Sequence, residues 1–270
     1  MRVAVVVTYS AGQAVLDRCV AALRSGGGID HIVVVDTGGA AVVSGDGNEL
    51  IRMTNRGYGA AANLGFAAAV ARGADQIALL NDDVVVRPGW AELLATELVG
   101  MVGAAQPKLL TSGFAVIDSL GVQIGRDGAG TDIGKGTPDT PGGMPSDLHI
   151  FTGGAVLFTR DFLVATGGFD ERYFLYYEDV DLALRGGELG WSYRLVPTAV
   201  VEHVGSLSTA SVPNRTRYLQ ERNRMLAAFR FADRSTQRTA WWLSVRRLRH
   251  RPRRVHAKAF LAALWLRRSW

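Results

Sequence analysis

Apolar residues in this chain come in short unbroken runs, and each run stops on polar side chains. Val3-Ala4-Val5-Val6-Val7 stops at Thr8-Tyr9-Ser10, Ile32-Val33-Val34-Val35 at Asp36, and Ile77-Ala78-Leu79-Leu80 at Asn81-Asp82-Asp83, before Val84-Val85-Val86. Runs of this length without alternation predict strands of a parallel sheet covered on both faces, here over 2–8, 31–36 and 77–80, with a shorter strand over 50–53. Helical patterns fill the gaps at 14–23, closed by Ser25-Gly26-Gly27-Gly28, and at the alanine-rich 60–71. Strands alternating with helices predict βαβ units, right-handed crossovers and an α/β class with a mostly parallel central sheet. Pro88-Gly89-Trp90 then opens a helix to about residue 99. Shorter strands are expected at 104–110 and 116–124, the latter as a hairpin near Gly121, and β structure resumes over 149–159. Residues 125–147, rich in Gly, Pro, Thr and Asp, read as a long mobile loop, either a lid or a plain surface excursion.

The polar strand ends carry the candidate chemistry. In an open α/β sheet, Thr8, Asp36 and Asn81-Asp82-Asp83 would share one edge, where such sheets bind ligands. The adjacent carboxylates of Asp82 and Asp83 repel each other, and a cation would relieve them; the competing reading is a polar cap on a turn. No Gly-x-Gly-x-x-Gly follows the first strand and no Walker pattern occurs, which argues against a dehydrogenase or a P-loop NTPase. A second acidic cluster, Glu178-Asp179-Val180-Asp181, follows Tyr173-Phe174-Leu175-Tyr176-Tyr177 and opens a helix. Acids at a helix start can act as caps, and Asp181 is spaced to pair with Arg185. Asp179 has no such partner, and a carboxyl in aromatic surroundings has its pKa raised, which suits a general base. His203 closes the strand Val201-Glu202-His203, either as a core histidine or as a metal ligand.

Charge divides the 270 residues in two. Residues 1–213 hold 14 Lys and Arg against 23 Asp and Glu, a net of −9, whereas 214–270 hold 16 against 2, a net of +14. The basic tail interleaves Arg246-Arg247-Leu248-Arg249 with Trp241-Trp242, Leu264-Trp265-Leu266 and Trp270, the pattern of a helix lying on anionic lipid. An ordinary solvated helical hairpin is the plainer reading, and no recognised nucleic-acid module accompanies the charge. The hydrophobic fraction of 48% and mean hydropathy of +0.10 suit a compact fold. Cys19 lies in a helical pattern and reads as a core residue. With neither a secretory leader nor a spanning run in view, a cytoplasmic protein, peripheral on the inner face of the membrane, is expected.

Seven segments, in order over residues 3–206, resemble family 2 glycosyltransferases of the GT-A fold, in the rhamnosyl- and galactofuranosyltransferase-like branch. They are Val5-Val6-Val7-Thr8-Tyr9, Ile32-Val33-Val34-Val35-Asp36, Asn55-Arg56-Gly57-Tyr58-Gly59-Ala60-Ala61-Ala62-Asn63-Leu64-Gly65, Leu79-Leu80-Asn81-Asp82-Asp83-Val84, Gly167-Gly168-Phe169-Asp170-Glu171, Tyr177-Glu178-Asp179-Val180-Asp181-Leu182-Ala183-Leu184-Arg185 and His203-Val204-Gly205-Ser206. The resemblance implies a catalytic domain over 1–213, with a nucleotide-sugar half to about 110 and an acceptor half beyond it, followed by the basic helical tail. It implies that Thr8, Tyr9, Asp36, Arg56, Asn63, Asn81, Asp82 and Asp83 bind the donor. Asp83 and His203 would hold Mg²⁺ or Mn²⁺, and Asp179 would be the catalytic base. Gly153, Gly154, Glu178 and Arg224 would lie by the acceptor or a phosphate, with Arg222-Asn223-Arg224 reaching toward it. Asn81 stands where many relatives have Asp, and Ser10 where many have Asn. The implied reaction is inverting, metal-dependent transfer of a sugar, with dTDP-rhamnose favoured, to a glycan or polyprenyl-linked hydroxyl. UDP-galactofuranose or another UDP-hexose is the alternative donor, and a non-catalytic membrane-surface binding protein the second alternative. A nucleotidyltransferase would need a Gly-rich, basic loop after the first strand, which Ser10-Ala11-Gly12-Gln13 is not.

Overall fold

The computed structural model describes residues 1–45, 47–113, 115–204 and 213–269. Its first half is β1 (Arg2–Thr8), α1 (Gln13–Gly26), β2 (His31–Asp36), β3 (Asn48–Arg52), α2 (Tyr58–Ala71) and β4 (Gln76–Asn81). The four strands run parallel in the order β3-β2-β1-β4. Side chains alternate across a strand, and the unbroken valine runs therefore feed two cores at once. Val3, Val5, Val7, Val33 and Val35 meet Ala61, Ala62 and Ala69 of α2 on one face. Ala4, Val6, Ile32 and Val34 meet Leu16, Cys19 and Leu23 of α1 on the other. The alanines and Gly65 let α2 lie close to the sheet, since a Cβ at Gly65 would come within 2.2 Å of Val5 Cγ1.

The second half adds β5 (Val84–Val86), α3 (Trp90–Ala95), β6 (Val102–Thr111), β7 (Ile117–Ser119), β8 (Val122–Ile124), β9 (Gly130–Asp132), β10 (Ser146–Leu148), β11 (Ala155–Thr159), α4 (Arg160–Thr166), α5 (Glu178–Glu188) and β12 (Ser192–His203). The sheet runs β10-β12-β6-β11-β4-β1-β2-β3. β11 is antiparallel to both β4 and β6, while β6 and β12 are parallel. This is the expected mixed, mostly parallel α/β sheet.

Four expectations need correction. The helix from Trp90 ends at Ala95, and turns carry the chain to Gly100, whose φ is +58°. Residues 116–124 are not a hairpin: β7 pairs with β6, and β8 with β9. The two strands part at a corner where Gly121 has φ +114° and its N–H donates to Ser119 Oγ. Residues 125–147 are not an unstructured excursion, since they contain β9, a bridge between Val116 and Pro138, and the start of β10. Buried Lys108 donates to Asp139 Oδ1 at 2.6 Å and to the Thr140 carbonyl at 2.8 Å, which ties this segment to β6. β11 likewise starts only at Ala155, because the preceding amides bond side chains: Thr152 N–H to Gln106 and Gly153 N–H to Asp179.

The tail is α6 (Pro213–Phe231), α7 (Arg234–Arg247) and α8 (Arg253–Leu266). Met225, Leu226, Ala228, Ala240 and Ala263 close around Tyr173 of the body in a small core. Among the described residues no helix is long and apolar enough to cross a membrane.

Candidate active site

Sheet register brings the strand ends together. Thr8 pairs with Asp36, and Val7 with Asn81, so the polar ends of β1, β2 and β4 share one edge as expected. Two residues beyond, β5 runs antiparallel to the end of β12 and sets Val84 opposite His203. Val204 N–H donates to the Asp83 carbonyl at 2.9 Å. That pairing, rather than any sequence proximity, places His203 Nε2 3.2 Å from Asp83 Oδ1. Burial, with the Asp83 charge adding, pushes the Asp82 carboxyl up to about 6.

The other nitrogen of His203, Nδ1, lies 2.7 Å from Asp118 Oδ2 on β7. Lys135 pairs with Asp118 at 3.1 Å and Asp132 at 3.2 Å. Burial pulls the imidazole down, but the Asp118 and Asp83 carboxylates outweigh it and hold the ring at about 9. The hydrogen bond from His203, with Lys135 adding, holds Asp118 at about 2 against its own burial. Neither Asp118 nor Lys135 was legible as a site residue, because an isolated acid in a three-residue strand carries no pattern. Among the described residues no three or more His, Cys, Asp or Glu side chains converge on one point. A two-ligand set of Asp83 and His203 nevertheless suits a divalent cation, which would displace the proton from Nε2 and take its remaining ligands from a diphosphate and water.

Asp179 sits at the first turn of α5. Its carboxylate accepts from Gly153 N–H at 2.9 Å and from Val180 N–H at 2.8 Å. It lines a cleft, so part of it is accessible, but protein encloses it otherwise, and burial raises its pKa more than the two N–H bonds lower it. Glu178 is more deeply buried, its Oε2 has no partner, and burial first and the Asp179 charge second push it up to about 8. The Tyr58 hydroxyl donates to the Gly153 carbonyl at 2.9 Å. Burial raises its phenol, and the charges of Glu178, Asp179, Asp82 and Asp83 raise it further, which places Tyr58 between the two acid pairs. Tyr58 is a third residue missed from the sequence, although it heads a helix inside one of the resembling segments.

Two cavities meet here. One of about 220 Å³ is lined by Tyr9, Asn55, Asp82, Asp83 and Phe174 among others, and one of about 670 Å³ by Glu178, Asp179, Gly153 and Asp118. Tyr58, Asn81 and His203 line both, so the acidic pairs open onto adjoining spaces.

Several of the expected donor and phosphate residues also bond the protein itself. Asn63 donates to the Phe169 carbonyl and accepts from the Phe169 N–H, which uses both ends of its amide to lock α2 to the 167–171 turn. Buried Asp36 accepts from the N–H groups of Gly38, Gly39 and Ala41, so its carboxylate shapes the following turn. Arg56 reaches outward to pair with Glu171 at 2.9 Å. The Gly153 amide is spent on Asp179, and the Gly154 carbonyl accepts from Asn81 N–H. Arg222-Asn223-Arg224 do not reach outward as free phosphate ligands. Arg222 bonds the Arg172 and Tyr173 carbonyls, and Asn223 Nδ2 those of Tyr173, Leu175 and Tyr176. Arg224 lines the larger cavity but bonds Asp127, Glu221, Ala240 and Ser244, its Nε alone lacking a partner. The aromatic loop they hold is strained, with φ of +65° at Phe174, +69° at Tyr176 and +70° at Tyr177. Asp181 pairs with Arg185 at 2.7 Å as expected. Gly205 and Ser206 of the last resembling segment lie outside the described residues.

Comparison with known proteins agrees with this architecture. The family model described as Glycosyl transferase family 2 matches residues 3–109. The N-acetylglucosaminyl-diphospho-decaprenol L-rhamnosyltransferases of two Mycobacterium tuberculosis strains, CDC 1551 / Oshkosh and ATCC 25618 / H37Rv, are 38% identical over 100 residues. That match covers 36% of this chain and 31% of each relative's length. Among solved structures, GalNAc-T7 with UDP, GalNAc and Mn²⁺ superposes at a TM-score of 0.69 with 14% identity, covering 98% of this chain and 56% of that one. Mannosyltransferase PcManGT from Pyrobaculum calidifontis, in complex with GDP-Man and Mn²⁺, superposes at 0.56 with 14% identity, covering 98% and 86%. On this GT-A fold, residues 3–109 match glycosyl transferase family 2, and a 100-residue stretch is similar to the two rhamnosyltransferases.

Proposed function

We propose that the chain transfers a sugar from a nucleotide sugar to an acceptor hydroxyl by a single displacement that inverts the anomeric carbon. The observation that carries this reading is the meeting of the Asp83–His203 pair and Asp179 in adjoining cavities. The donor lies in the smaller cavity, its diphosphate toward Asp83 and His203 and its base toward Tyr9. A divalent cation bound by these two residues would neutralise charge on the departing diphosphate. Asp118, hydrogen-bonded to Nδ1, fixes the ring so that Nε2 faces Asp83. Asp179, held by two backbone N–H groups, takes the proton of the acceptor hydroxyl, and its raised pKa makes it a stronger base than an ordinary aspartate. One base and one displacement require inversion.

The name of the 38% identical relatives supports L-rhamnose as the sugar and a diphospho-lipid-linked glycan as acceptor; dTDP-rhamnose is the donor we favour, a UDP-hexose is the alternative, and a donor screen decides between them. Residues 214–270 bring the chain to anionic lipid. Their net charge of +14 and the exposed Trp242, Leu261 and Trp265 support that placement. Flotation with anionic but not neutral vesicles checks it, and equal flotation with both would count against it. For the chemistry itself, Asp179→Asn should leave nucleotide binding within about twofold while transfer falls by about 10²–10⁴. Turnover at the wild-type rate would remove Asp179 from the reaction.

A further inference from the structure

A second cleft, of about 570 Å³, opens between α6, α7 and the start of α8. Arg217, Arg246, Arg247, Arg251, His250 and His256 line it. Among the described residues its only acid is Glu221, which already pairs with Arg247 and Arg224. Among the described residues Arg217, Arg246 and Arg251 have no anionic partner. Gathering like charges around one space costs free energy that an incoming anion would recover. The strain reaches individual groups: burial and then the charges of Arg247, Arg217 and His250 lower the proton affinity of His256. His256, which lines the cleft, is 8% exposed, and its Nδ1 is buried without a hydrogen-bond partner.

The position of the cleft narrows its ligand. Gln220, Glu221 and Arg247 line both this cleft and the one holding Glu178 and Asp179, so the two share a wall. Arginine forks suit phosphate oxygens, and the shared wall sets a group bound here next to the cleft that holds Asp179. The same helices α7 and α8 expose Trp242, Leu261 and Trp265, offering apolar surface to a lipid chain.

We infer that the α6–α8 cleft binds the diphosphate of a lipid-linked acceptor while its sugar occupies the adjoining Asp179 cleft. The assignment of that sugar rests on the transferase reading; the phosphate site itself rests on the cleft. Calorimetry on the full chain in EDTA, with farnesyl diphosphate, inorganic pyrophosphate and farnesol as probes, tests it. Farnesyl diphosphate should bind at least tenfold more tightly than pyrophosphate, and farnesol should not bind. Binding should weaken at least tenfold in Arg217→Gln/Arg246→Gln/Arg251→Gln, and should largely survive in the matching triple Lys variant, which also controls for folding. Wild-type binding should also weaken between 50 and 500 mM NaCl, by about tenfold or more. Affinity unchanged in the Gln variant, or indifferent to salt, would overturn the site. Pyrophosphate binding as tightly as farnesyl diphosphate would overturn the lipid-linked assignment. Nucleoside diphosphate binding with Mn²⁺ should be unchanged in the Gln variant; its absence from wild type would instead overturn the transferase reading and leave the phosphate site standing.

Discussion

Glu178 gives the site a measurable thermodynamic signature. Its carboxyl is pushed from the ordinary 4.5 up to about 8 by burial and by the charge of Asp179, and one oxygen has no partner. The folded protein therefore keeps a proton that the unfolded chain gives up once pH passes 4.5. Because the folded state binds more protons through this window, stability falls as pH rises from 4.5 toward 8. By pH 7 the accumulated loss is about 3 kcal/mol, or roughly 5 °C in Tm for a chain of this size. Glu178→Gln removes the titration while keeping the side-chain shape. It should change Tm little at pH 5 and raise it by roughly 5 °C at pH 7, the gap widening until about pH 8. Differential scanning calorimetry of both proteins from pH 5 to 9 reads this directly. Parallel Tm curves, with the same gap at pH 5 as at pH 7, would refute the buried, proton-holding Glu178. Residual differences traceable to Asp179 would be exposed by repeating the series in Asp179→Asn, where the Glu178 effect should shrink.

Two further outcomes follow from side-chain contacts. Asp118→Asn leaves a hydrogen-bonding side chain but no charge at Nδ1 of His203, so Mn²⁺ affinity measured by electron paramagnetic resonance should fall by about 10- to 100-fold; unchanged affinity would deny Asp118 its orienting role. Asn63→Ala breaks both bonds to the Phe169 backbone and should cost about 2–4 kcal/mol in urea unfolding, with nucleotide affinity in the surviving folded fraction essentially unchanged. A selective loss of nucleotide binding at wild-type stability would instead support a donor role for Asn63.

The valine runs made the first half of the fold legible, because a strand covered on both faces needs apolar side chains on both and shows no gap in hydropathy. The strand-end residues were legible as a group, since a parallel sheet brings its carboxyl ends to one edge. What each does was not legible. Asn63 and Asp36 sit inside motifs that resemble a donor site, yet in the fold they satisfy backbone groups of a turn, a role that depends on the partner's position and not on residue type. Asp118 left no trace in the sequence, because its meaning comes from a register that brings β7, β6 and β12 together across the 85 residues separating it from His203. The segment 125–147 looked structureless because single charged pairs such as Lys108–Asp139 order it, and these have no periodicity to read.

The charge boundary near residue 213 is not a boundary in packing. Helix α6 begins there, and within its first three turns it delivers Arg222 and Asn223 to the carbonyls of the aromatic loop. Three non-glycine residues of that loop sit at positive φ, each costing of order 1–3 kcal/mol, and such a conformation persists only where its surroundings over-determine it. The loop ends at Tyr177, the residue before α5, so what holds the loop also sets where Glu178 and Asp179 begin. Tyr177 closes the circuit from the other side: its hydroxyl accepts from Gly130 N–H and donates to the Gly128 carbonyl, pinning the 125–147 segment against the same cleft. The basic helices are therefore part of the machinery that aims the proposed base. Their inner surface sets the geometry of the Asp179 cleft, and their outer surface supplies the cations and tryptophans proposed to meet the acceptor.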